Sequence, residues 1–337
     1  MKKQNKKKVP PEILRKYDLP SHLTDFQLEM FIHFIEWKWK NITREKGSFR
    51  GEEYDTILPA SAQEEWLPIY PALVEEVRKL DFKKHRHFGH MASSQAACLN
   101  LLFPLLRDKK TANIVFTLVK PDFRELATDT LNNGYAFEYC HESNPLKDHT
   151  PQAGTDADVA IAYYNTSGEL SLWLIEHKLT EDEFTRCGGY RTSKNKKKDF
   201  CRDGNLILSD HAKCYYTYSC RYKYWEITKE SNLYSFQSRD NRTSCPYIGG
   251  ENQLWRNQLL GHSIRKLGQF KNVHFSVIHH PDNHDLDETV RSYVSLLRDK
   301  SVFSCLTSKK LTEAAKTVGS EELKKWVSWY SDLYRIR

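Results

Sequence analysis

Hydrophobic positions near the middle of the chain form two short continuous runs, "DVAIAYY" from Asp158 and "LSLWLI" from Leu170, with the polar stretch "NTSG" between them. Short apolar runs that are rich in β-branched and aromatic residues and flanked by turn residues are typical of strands. We therefore predict an antiparallel hairpin. A three-residue loop over residues 166–168 suits it, because Gly168 can take the left-handed conformation that such loops need at their last position.

Apolar residues elsewhere recur at helical spacing or in shorter strand-like runs. An amphipathic helix is predicted over "SHLTDFQLEMFIHFIEWKWKNITREKG", with Ser21 as its cap, and a second, interrupted by its prolines, over "SAQEEWLPIYPALVEEVRKL". The stretch "ASSQAACLNLLFPLLRD" predicts a helix capped by Ser93 or Ser94, and "PDFRELATDTLNN" a shorter helix that ends at Gly134. Strands are predicted for "YAFEYC" and "NVHFSVIHH", and further helices for "ENQLWRNQLLGHSIRKLG", 285–299 and 320–335.

The hairpin register brings charged residues together at one end. Asp158 is opposite Glu176 and Asp156 is opposite Lys178, and directly opposed side chains share a face about 5 Å apart at Cβ. Lys178 follows Glu176 by two residues, so it lies on the same face. Carboxylates this close repel each other unless a positive charge lies between them. A hard divalent cation fits, because it prefers oxygen ligands; the alternative is an ion-pair network in which the lysine neutralises its acidic neighbours.

The same residues resemble a known family. Asp158, followed on the next strand by Glu176-His177-Lys178, resembles the core of the PD-(D/E)xK nuclease superfamily. The nearest resemblance is to its restriction-endonuclease-like branch, through Ser93-Ser94-Gln95, "GTDAD" and "EHKLTE", and it covers roughly residues 85–282. It implies an α/β (α+β) fold with a restriction-endonuclease-like core, in which helices flank a mixed central sheet.

The resemblance also implies an activity and its residues. The chain is expected to be a metal-dependent DNA endonuclease that hydrolyses phosphodiester bonds, with DNA as its partner. Asp158 and Glu176 are the implied ligands of Mg²⁺ or Mn²⁺, and Lys178 is the third catalytic residue. A metal ion acting as Lewis acid beside a lysine that orients water is the outline of such a hydrolytic site.

Four further residues are expected to support this site. The first acidic residue of the family motif, often on the opening helix, has no obvious counterpart, and Gln95 lies where a glutamate would be expected. Glu138 or Glu142 would be its substitute. Asp156 is expected to support the metal ligands or to pair with the lysine, and Gln253, on a later helix, to face the phosphate.

The resemblance and the predicted elements divide the chain into four parts. They are a basic disordered tail, a helical N-terminal extension, a nuclease core with a Cys/Tyr/Lys-rich insertion at about 186–250, and C-terminal helices, with bounds 1–20, 21–84, 85–284 and 285–337.

Charge is concentrated in two places. The net charge is +7, and residues 1–17 hold seven Lys/Arg and one Glu. Residues 186–202 hold seven Lys/Arg against one Asp and directly follow the Glu-His-Lys strand. A basic loop beside a hydrolytic site would attract a polyanion, although a merely solvated loop is the alternative. The residues predicted to contact DNA are Arg191, Lys194, Lys196, Lys197 and Lys198.

Cysteines and histidines leave other hypotheses open. Five of the eight cysteines lie in the insertion, without a CxxC spacing, and they predict either a structural zinc or iron–sulfur cluster or ordinary thiols; they are Cys187, Cys201, Cys214, Cys220 and Cys245. The first case would favour a repair or mobile-element exonuclease. A DNA-binding module of the same fold that has lost cleavage is a further alternative. A turn after the last predicted core strand could hold the zinc of another hydrolase, through His279, His280, Asp282, His284 and Asp285.

No apolar run approaches the eighteen or so residues that a membrane helix needs, and no apolar stretch follows the basic N-terminus. We therefore expect a cytoplasmic protein without a membrane partner, and a homodimer is one expected assembly.

Overall fold

The structure is a computed structural model and describes residues 6–150, 154–236 and 244–337. Its strands are β1 (Lys7–Lys8), β2 (His22–Leu23), β3 (Gly47–Phe49), β4 (Glu52–Tyr54), β5 (Phe123–Leu126), β6 (Tyr135–Tyr139), β7 (Ala157–Asn165), β8 (Leu170–Lys178), β9 (Asn272–His279) and β10 (Phe303–Thr307). Its helices are α1 (Pro11–Lys16), α2 (Asp25–Asn41), α3 (Ala60–Glu64), α4 (Val74–Val77), α5 (Ser94–Leu106), α6 (Lys109–Val119), α7 (Gly188–Arg191), α8 (Lys198–Arg202), α9 (Gly204–Ser209), α10 (Tyr215–Tyr218), α11 (Tyr224–Ser231), α12 (Glu251–Lys266), α13 (Asp287–Leu296), α14 (Ser308–Lys316) and α15 (Glu321–Tyr334). Among the described residues, no helix is both long enough and apolar enough to cross a membrane.

A mixed sheet forms the centre of the fold. Within the described residues it has six strands, in the order β10-β9-β8-β7-β5, with β6 also paired to β7. β7 runs antiparallel to β8, whereas β8, β9 and β10 are parallel. The chain returns from β8 to the parallel β9 through the insertion and α12, as a parallel pair requires a long crossover. The predicted α/β class with a mixed central sheet and helices is confirmed.

The central hairpin has the predicted register. Val159 pairs with Ile175, and the ladder continues to Tyr164 and Leu170. Beyond it, the backbone N–H of Asn165 donates to the carbonyl of Glu169 at 3.0 Å, and Gly168 has a φ of 80°. The three-residue loop therefore aligns the start of β7 with the end of β8.

Both faces of this hairpin are covered, which explains why its apolar runs are continuous rather than alternating. On one face Val159, Ile161 and Trp173 pack in a cluster with α2, α5, α6, α14 and α15. On the other face Ala160 and Leu174 pack in a cluster with α11, α12 and α13. The charged ends of β7 and β8 therefore lie at the margin of a layered hydrophobic core.

The predicted helix over "PDFRELATDTLNN" is wrong. Residues Phe123–Leu126 form β5, which pairs antiparallel with the C-terminal end of β7. The helix that precedes this strand is α6. Phe123 and Leu126 are fully buried. Pairing with β7 buries both side chains, and this tertiary gain overrides the local preference of the segment.

Of two helix caps predicted from the sequence, one is confirmed and one is wrong. Ser93 caps α5, since its Oγ accepts a hydrogen bond from the backbone N–H of Ala96 at 3.3 Å. Ser21 does not cap α2. Thr24 does so, in a reciprocal capping box in which Thr24 and Gln27 each accept a hydrogen bond from the backbone N–H of the other.

Both ends of the chain join the core. Residues 6–20 of the predicted disordered tail include β1 and α1, and Tyr17 and Leu19 are buried, so the prediction is wrong for this segment. Residues 1–5 of that tail lie outside the described residues. At the other end β10, followed by α14, extends the sheet beyond the predicted core boundary at residue 284. The four-part division of the chain stays a prediction.

His280 closes the turn after β9 as a neutral imidazole. Its Nδ1 accepts a hydrogen bond of 3.1 Å from the backbone N–H of Asp282, and its Nε2 donates at 2.8 Å to the carbonyl of Tyr334. Burial lowers the pKa of His280 to about 4. As the pH falls from about 6.5 towards 4, the unfolded chain takes up a proton that the native imidazole resists. We therefore expect this contribution to stability to be present above pH 6.5 and to be lost towards pH 4.

Thermal unfolding of His280→Asn and His284→Asn as a function of pH tests this expectation. Asparagine keeps an acceptor for the Asp282 N–H but does not titrate, so the midpoint of His280→Asn should fall less steeply on acidification than that of the wild type. The side chain of His284 is 76% exposed, and its variant should keep the wild-type slope. Equal slopes for all three proteins would contradict the assignment.

Candidate active site

Three neighbouring strands bring acidic side chains to one end of the sheet. Glu138 lies near the end of β6, Asp158 near the start of β7, and Glu176 near the end of β8. With Lys178, they line one cavity of about 490 Å³. The start of α5 and residues 180–183 form its other walls. The predicted catalytic residues Asp158, Glu176 and Lys178 are therefore together in space.

Glu176 is held in place from three sides. Its Oε1 lies 2.8 Å from Lys178 Nζ and accepts a hydrogen bond of 2.7 Å from Gln253 Nε2. Its Oε2 accepts a hydrogen bond of 3.0 Å from Asn257 Nδ2. Gln253 and Asn257 are four residues apart on α12 and therefore share a helix face. Gln253 thus orients the carboxylate, and its predicted approach to the phosphate stays a prediction.

Asp158 is the second carboxylate of the cavity. Its Oδ2 accepts a hydrogen bond of 2.6 Å from the backbone N–H of His177. Burial, together with the negative charges of Glu176 and Glu138, raises the pKa of Asp158 well above its ordinary value. The site thus concentrates negative charge that a cation would neutralise.

Glu138 completes the acidic cluster, and Glu142 does not. Burial, reinforced by the charges of Asp156 and Glu176, raises the pKa of Glu138 to about 7. Glu138 has a φ of 50°, a left-handed conformation that is uncommon for a residue other than glycine. Glu142 is exposed and is absent from the cavity walls. Of the two alternatives in the sequence, only Glu138 is placed to replace the missing acidic residue.

Lys178 has a different partner from the one predicted. The regular pairing of β7 with β8 ends at Val159 and Ile175, so Asp156 lies outside the ladder. Asp156 is exposed and forms no ion pair with Lys178, and its backbone carbonyl accepts a hydrogen bond of 3.3 Å from Asn257 Nδ2. The predicted Asp156–Lys178 pair is therefore wrong, and a supporting role for Asp156 stays a prediction.

Lys178 is a cation in this site. Burial alone would lower its pKa, but the negative charges of Glu176, Glu181 and Asp158 outweigh burial, and the pKa is raised. Its Nζ lies 5.8 Å from the centre of the Phe184 ring, which forms part of the hydrophobic core. The ammonium is thus fixed between an apolar wall and the carboxylates.

The donor set fits a hard divalent cation. No group of three or more His, Cys, Asp or Glu side chains in the described part of the chain is already arranged around a metal position. Mg²⁺ does not need one, because it retains several waters and is usually held by one or two carboxylates together with substrate phosphates. Asp158 and Glu176 supply such carboxylates, and the pKa of Asp158, raised first by burial and then by the charges of Glu176 and Glu138, reflects a buried charge that a cation would stabilise.

A family model described as restriction endonuclease associating with ARP matches residues 31–335. The chain belongs to this restriction-endonuclease family. The match includes every strand of the central sheet and all the acidic residues of the cavity. No curated protein and no solved structure matches the chain significantly.

In this restriction-endonuclease family member, Gln95 hydrogen-bonds the side chain of Glu138 in the cavity and also holds the preceding backbone segment. Its Oε1 accepts a hydrogen bond of 2.8 Å from the backbone N–H of His85, and its Nε2 donates at 3.0 Å to the carbonyl of Lys83. Gln95 is buried and lies in the first turn of α5. It therefore fixes the segment before α5 at the rim of the cavity.

The basic loop of the insertion lies outside the cavity. Arg191 and the four predicted lysines are absent from its walls, and they belong to a unit of short helices, α7 to α10. Lys197 Nζ lies 4.6 Å from the centre of the Tyr218 ring, and Lys198 Nζ donates weakly to the carbonyl of Arg191. Contact of these residues with DNA stays a prediction.

Four of the five cysteines in the insertion lie around one small cavity, which is separate from the acidic cavity. Cys187, Cys201, Cys214 and Cys245 line a second, much smaller cavity, whereas Cys220 does not. All five thiols are free. Burial raises the pKa of Cys187 to about 12 and that of Cys201 to about 11, so both are neutral thiols. No three of them are arranged around a metal position in the described residues, and the structural metal stays a prediction.

The histidines of the turn after β9 are engaged in the fold. Both ring nitrogens of His280 are hydrogen-bonded, as described above, and His279 Nδ1 lies 2.8 Å from the carbonyl of His280. His284 Nδ1 lies 3.2 Å from Asp287 Oδ2. These contacts favour the ordinary polar turn over a zinc site.

Proposed function

We propose that this protein is a DNA endonuclease of the PD-(D/E)xK type that depends on Mg²⁺ or Mn²⁺ and hydrolyses phosphodiester bonds. The observation that carries the proposal is the meeting of Asp158, Glu176 and Lys178 in one cavity at the end of the central hairpin. Membership of a restriction-endonuclease family supports it.

Each residue has a role that follows from its contacts. Asp158 and Glu176 would hold the metal ion, with Glu138 beside them. The bound ion would act as a Lewis acid on the phosphate. Lys178, kept in place by Glu176, would orient the attacking water and stabilise negative charge that develops on the phosphate. Gln253 and Asn257 hold Glu176 in one orientation, in which it would bind the metal ion and keep Lys178 in place.

Incubation of the purified protein with supercoiled plasmid tests the activity. Nicked or linear plasmid should form with Mg²⁺ or Mn²⁺ and should not form with EDTA. A circular substrate has no ends, so cleavage distinguishes an endonuclease from an exonuclease. Cleavage that survives EDTA, or no cleavage of any DNA despite binding, would contradict the proposal, and the latter result would favour a non-cleaving DNA-binding module.

Glu138→Gln is expected to lower Mg²⁺-dependent cleavage by about 10–100-fold, the usual cost of removing a group that supports a metal ligand. Glutamine keeps the size of the side chain but removes a negative charge from the cluster. Glu142→Gln is the matched control, because it removes the same charge from an exposed position four residues away. Equal rates for the two variants would mean that Glu138 has no part in the reaction.

Neutralising Lys194, Lys196, Lys197 and Lys198 is expected to weaken binding to every DNA sequence alike. Each phosphate contact that is lost lowers the log–log salt dependence of affinity by about 0.9 for duplex DNA. Titrations at several salt concentrations measure this slope. A slope unchanged from the wild type would mean that the loop does not face the DNA.

A further inference from the structure

A short basic segment forms part of the rim of the acidic cavity. The segment, residues 83–87, has the sequence "KKHRH" and directly precedes the turn into α5. His85 and His87 line the same cavity as Glu138, Asp158 and Glu176. Lys83, Lys84 and Arg86 are exposed beside them.

The backbone of the basic segment is held by a buried side chain. Gln95 uses its amide oxygen on the N–H of His85 and its amide nitrogen on the carbonyl of Lys83, as described above. A loop that is only solvated needs no such connection. Since Gln95 lies in the first turn of α5, which also contributes to the cavity wall, the basic segment has a fixed position relative to the carboxylates.

The three cations of the basic segment have no acidic partners among the residues that the structure describes. No ion pair engages Lys83, Lys84 or Arg86 within the described residues. Lys84 Nζ lies 4.7 Å from the centre of the Trp66 ring, and Arg86 Nε donates at 3.0 Å to His87 Nε2. The cavity beneath them is lined by carboxylates, Glu138, Asp158, Glu176, Glu181, Asp182 and Glu183. A cationic rim above an anionic floor is complementary to a polyanion whose reactive phosphate reaches a metal ion on the floor.

We propose that the basic segment contacts the phosphates of duplex DNA that flank the bond placed in the cavity, and that Gln95 positions it for this contact. The proposal rests on the proposed nuclease function, because it assigns the phosphates next to the scissile bond to these residues. Lys83 and Arg86 supply the direct contacts, and Lys84 is partly committed to the Trp66 and Phe88 rings.

The test compares two double variants that remove the same charge. Lys83→Ala/Arg86→Ala removes two cations from the basic segment, and Lys309→Ala/Lys310→Ala removes two exposed cations from α14. Affinity for a short fluorescent duplex is measured in Ca²⁺ at several salt concentrations, with a gel to check that the duplex stays intact. The first variant should lower the slope of log affinity against log salt by about 1.8, or about 0.9 for each contact, and the second should leave it unchanged.

Gln95→Met tests the positioning role separately. Methionine keeps the length of the side chain and loses the hydrogen bonds to His85, Lys83 and Glu138, without changing the charge of the protein. A lower slope in this variant, with an unfolding midpoint close to that of the wild type, supports positioning, whereas a merely structural role would lower the midpoint and leave the slope alone.

The outcomes separate this inference from the proposed function. Equal slopes for the two double variants overturn the role of the basic segment, and so does a wild-type protein that does not bind the duplex. Plasmid cleavage is measured on the same preparations. If DNA binding depends on the basic segment but no DNA is cleaved, this inference is supported and the proposed nuclease function is contradicted. If DNA is cleaved but the two double variants have equal slopes, the nuclease function is supported and this inference is contradicted.

Discussion

Lys178→Ala is expected to lower the rate of DNA cleavage by about 10²–10⁴-fold and to leave the affinity for DNA almost unchanged. The ammonium is fixed 2.8 Å from Glu176 Oε1 inside the cavity, where it faces the position of the attacked phosphate in the proposed function. Groups that act on a water or on developing charge interact more strongly with the transition state than with bound substrate. Their loss therefore lowers the rate and leaves binding nearly intact.

Lys178→Arg is expected to fail as well. A guanidinium is planar, larger and presents its donors in a fixed fork, so it does not replace a compact ammonium. The available space is limited, because Glu176 Oε1 already accepts a hydrogen bond from Gln253 and the Phe184 ring closes the other side. Retained activity in this variant would mean that only the positive charge matters.

Lys120 offers a matched control for the loss of a buried lysine. Its Nζ is paired with Asp122 Oδ1 at 2.6 Å and lies 5.1 Å from the Tyr163 ring, near the loop end of the hairpin. Removing one partner of a buried pair such as Lys178–Glu176 costs up to about 3–5 kcal/mol, and the half-exposed Asp122 makes the cost smaller for Lys120, so Lys178→Met and Lys120→Met should both lower the free energy of unfolding. Only Lys178→Met should lose cleavage. If it cuts DNA at the wild-type rate, the site is a structural ion-pair network.

The hairpin and its charged end were predictable because local rules determine them. The glycine at the last loop position sets the loop length, and continuous apolar runs set both strands, so the opposition of Asp158 and Glu176 follows from the register. The hairpin register does not determine the position of Asp156. That residue precedes the start of β7, where no ladder constrains it, and the lysine pairs instead with the glutamate two residues before it.

Glu138 could be named from the sequence only as one of two alternatives. Its position depends on the pairing of β6 with β7, which brings Phe137 opposite Val159, and on a left-handed backbone at Glu138 itself. Neither feature has a local signal, since the segment contains no glycine to indicate the unusual conformation. Glu142, equally acidic and close in sequence, lies beyond the end of β6 and stays exposed.

Two other features depend on contacts between distant segments. Residues Phe123–Leu126 are a strand because β7 offers an edge for them, and no periodicity within four residues can distinguish that from a helix. The basic segment is visible in the sequence as "KKHRH", but its place at the cavity follows from Gln95, ten residues after His85. A charge run shows where cations are and leaves open what they face.

Asp158→Asn is expected to abolish Mg²⁺-dependent cleavage and yet to stabilise the protein. Asparagine has the same shape and its amide oxygen can still accept the hydrogen bond from the backbone N–H of His177. It removes a buried negative charge that Glu176 and Glu138 repel, as the raised pKa of Asp158 indicates. If the relief is on the order of 1 kcal/mol, the unfolding midpoint of a chain of this length should rise by about 1–2 °C. Activity should be lost because, in the proposed function, Asp158 is a charged ligand of the metal.

Thermal unfolding with and without Mg²⁺ measures this prediction without any substrate. A ligand that binds only the native state at a hundred times its dissociation constant stabilises by about 2.7 kcal/mol, so Mg²⁺ should raise the midpoint of the wild type and have little effect on Asp158→Asn. Asp81→Asn, at an exposed position, should keep both the wild-type midpoint and its response to Mg²⁺. The decisive feature is that activity falls while stability rises, since a substitution that merely damaged the fold would lose activity and stability together. An Asp158→Asn protein that is less stable than the wild type and still responds to Mg²⁺ would place the cation elsewhere.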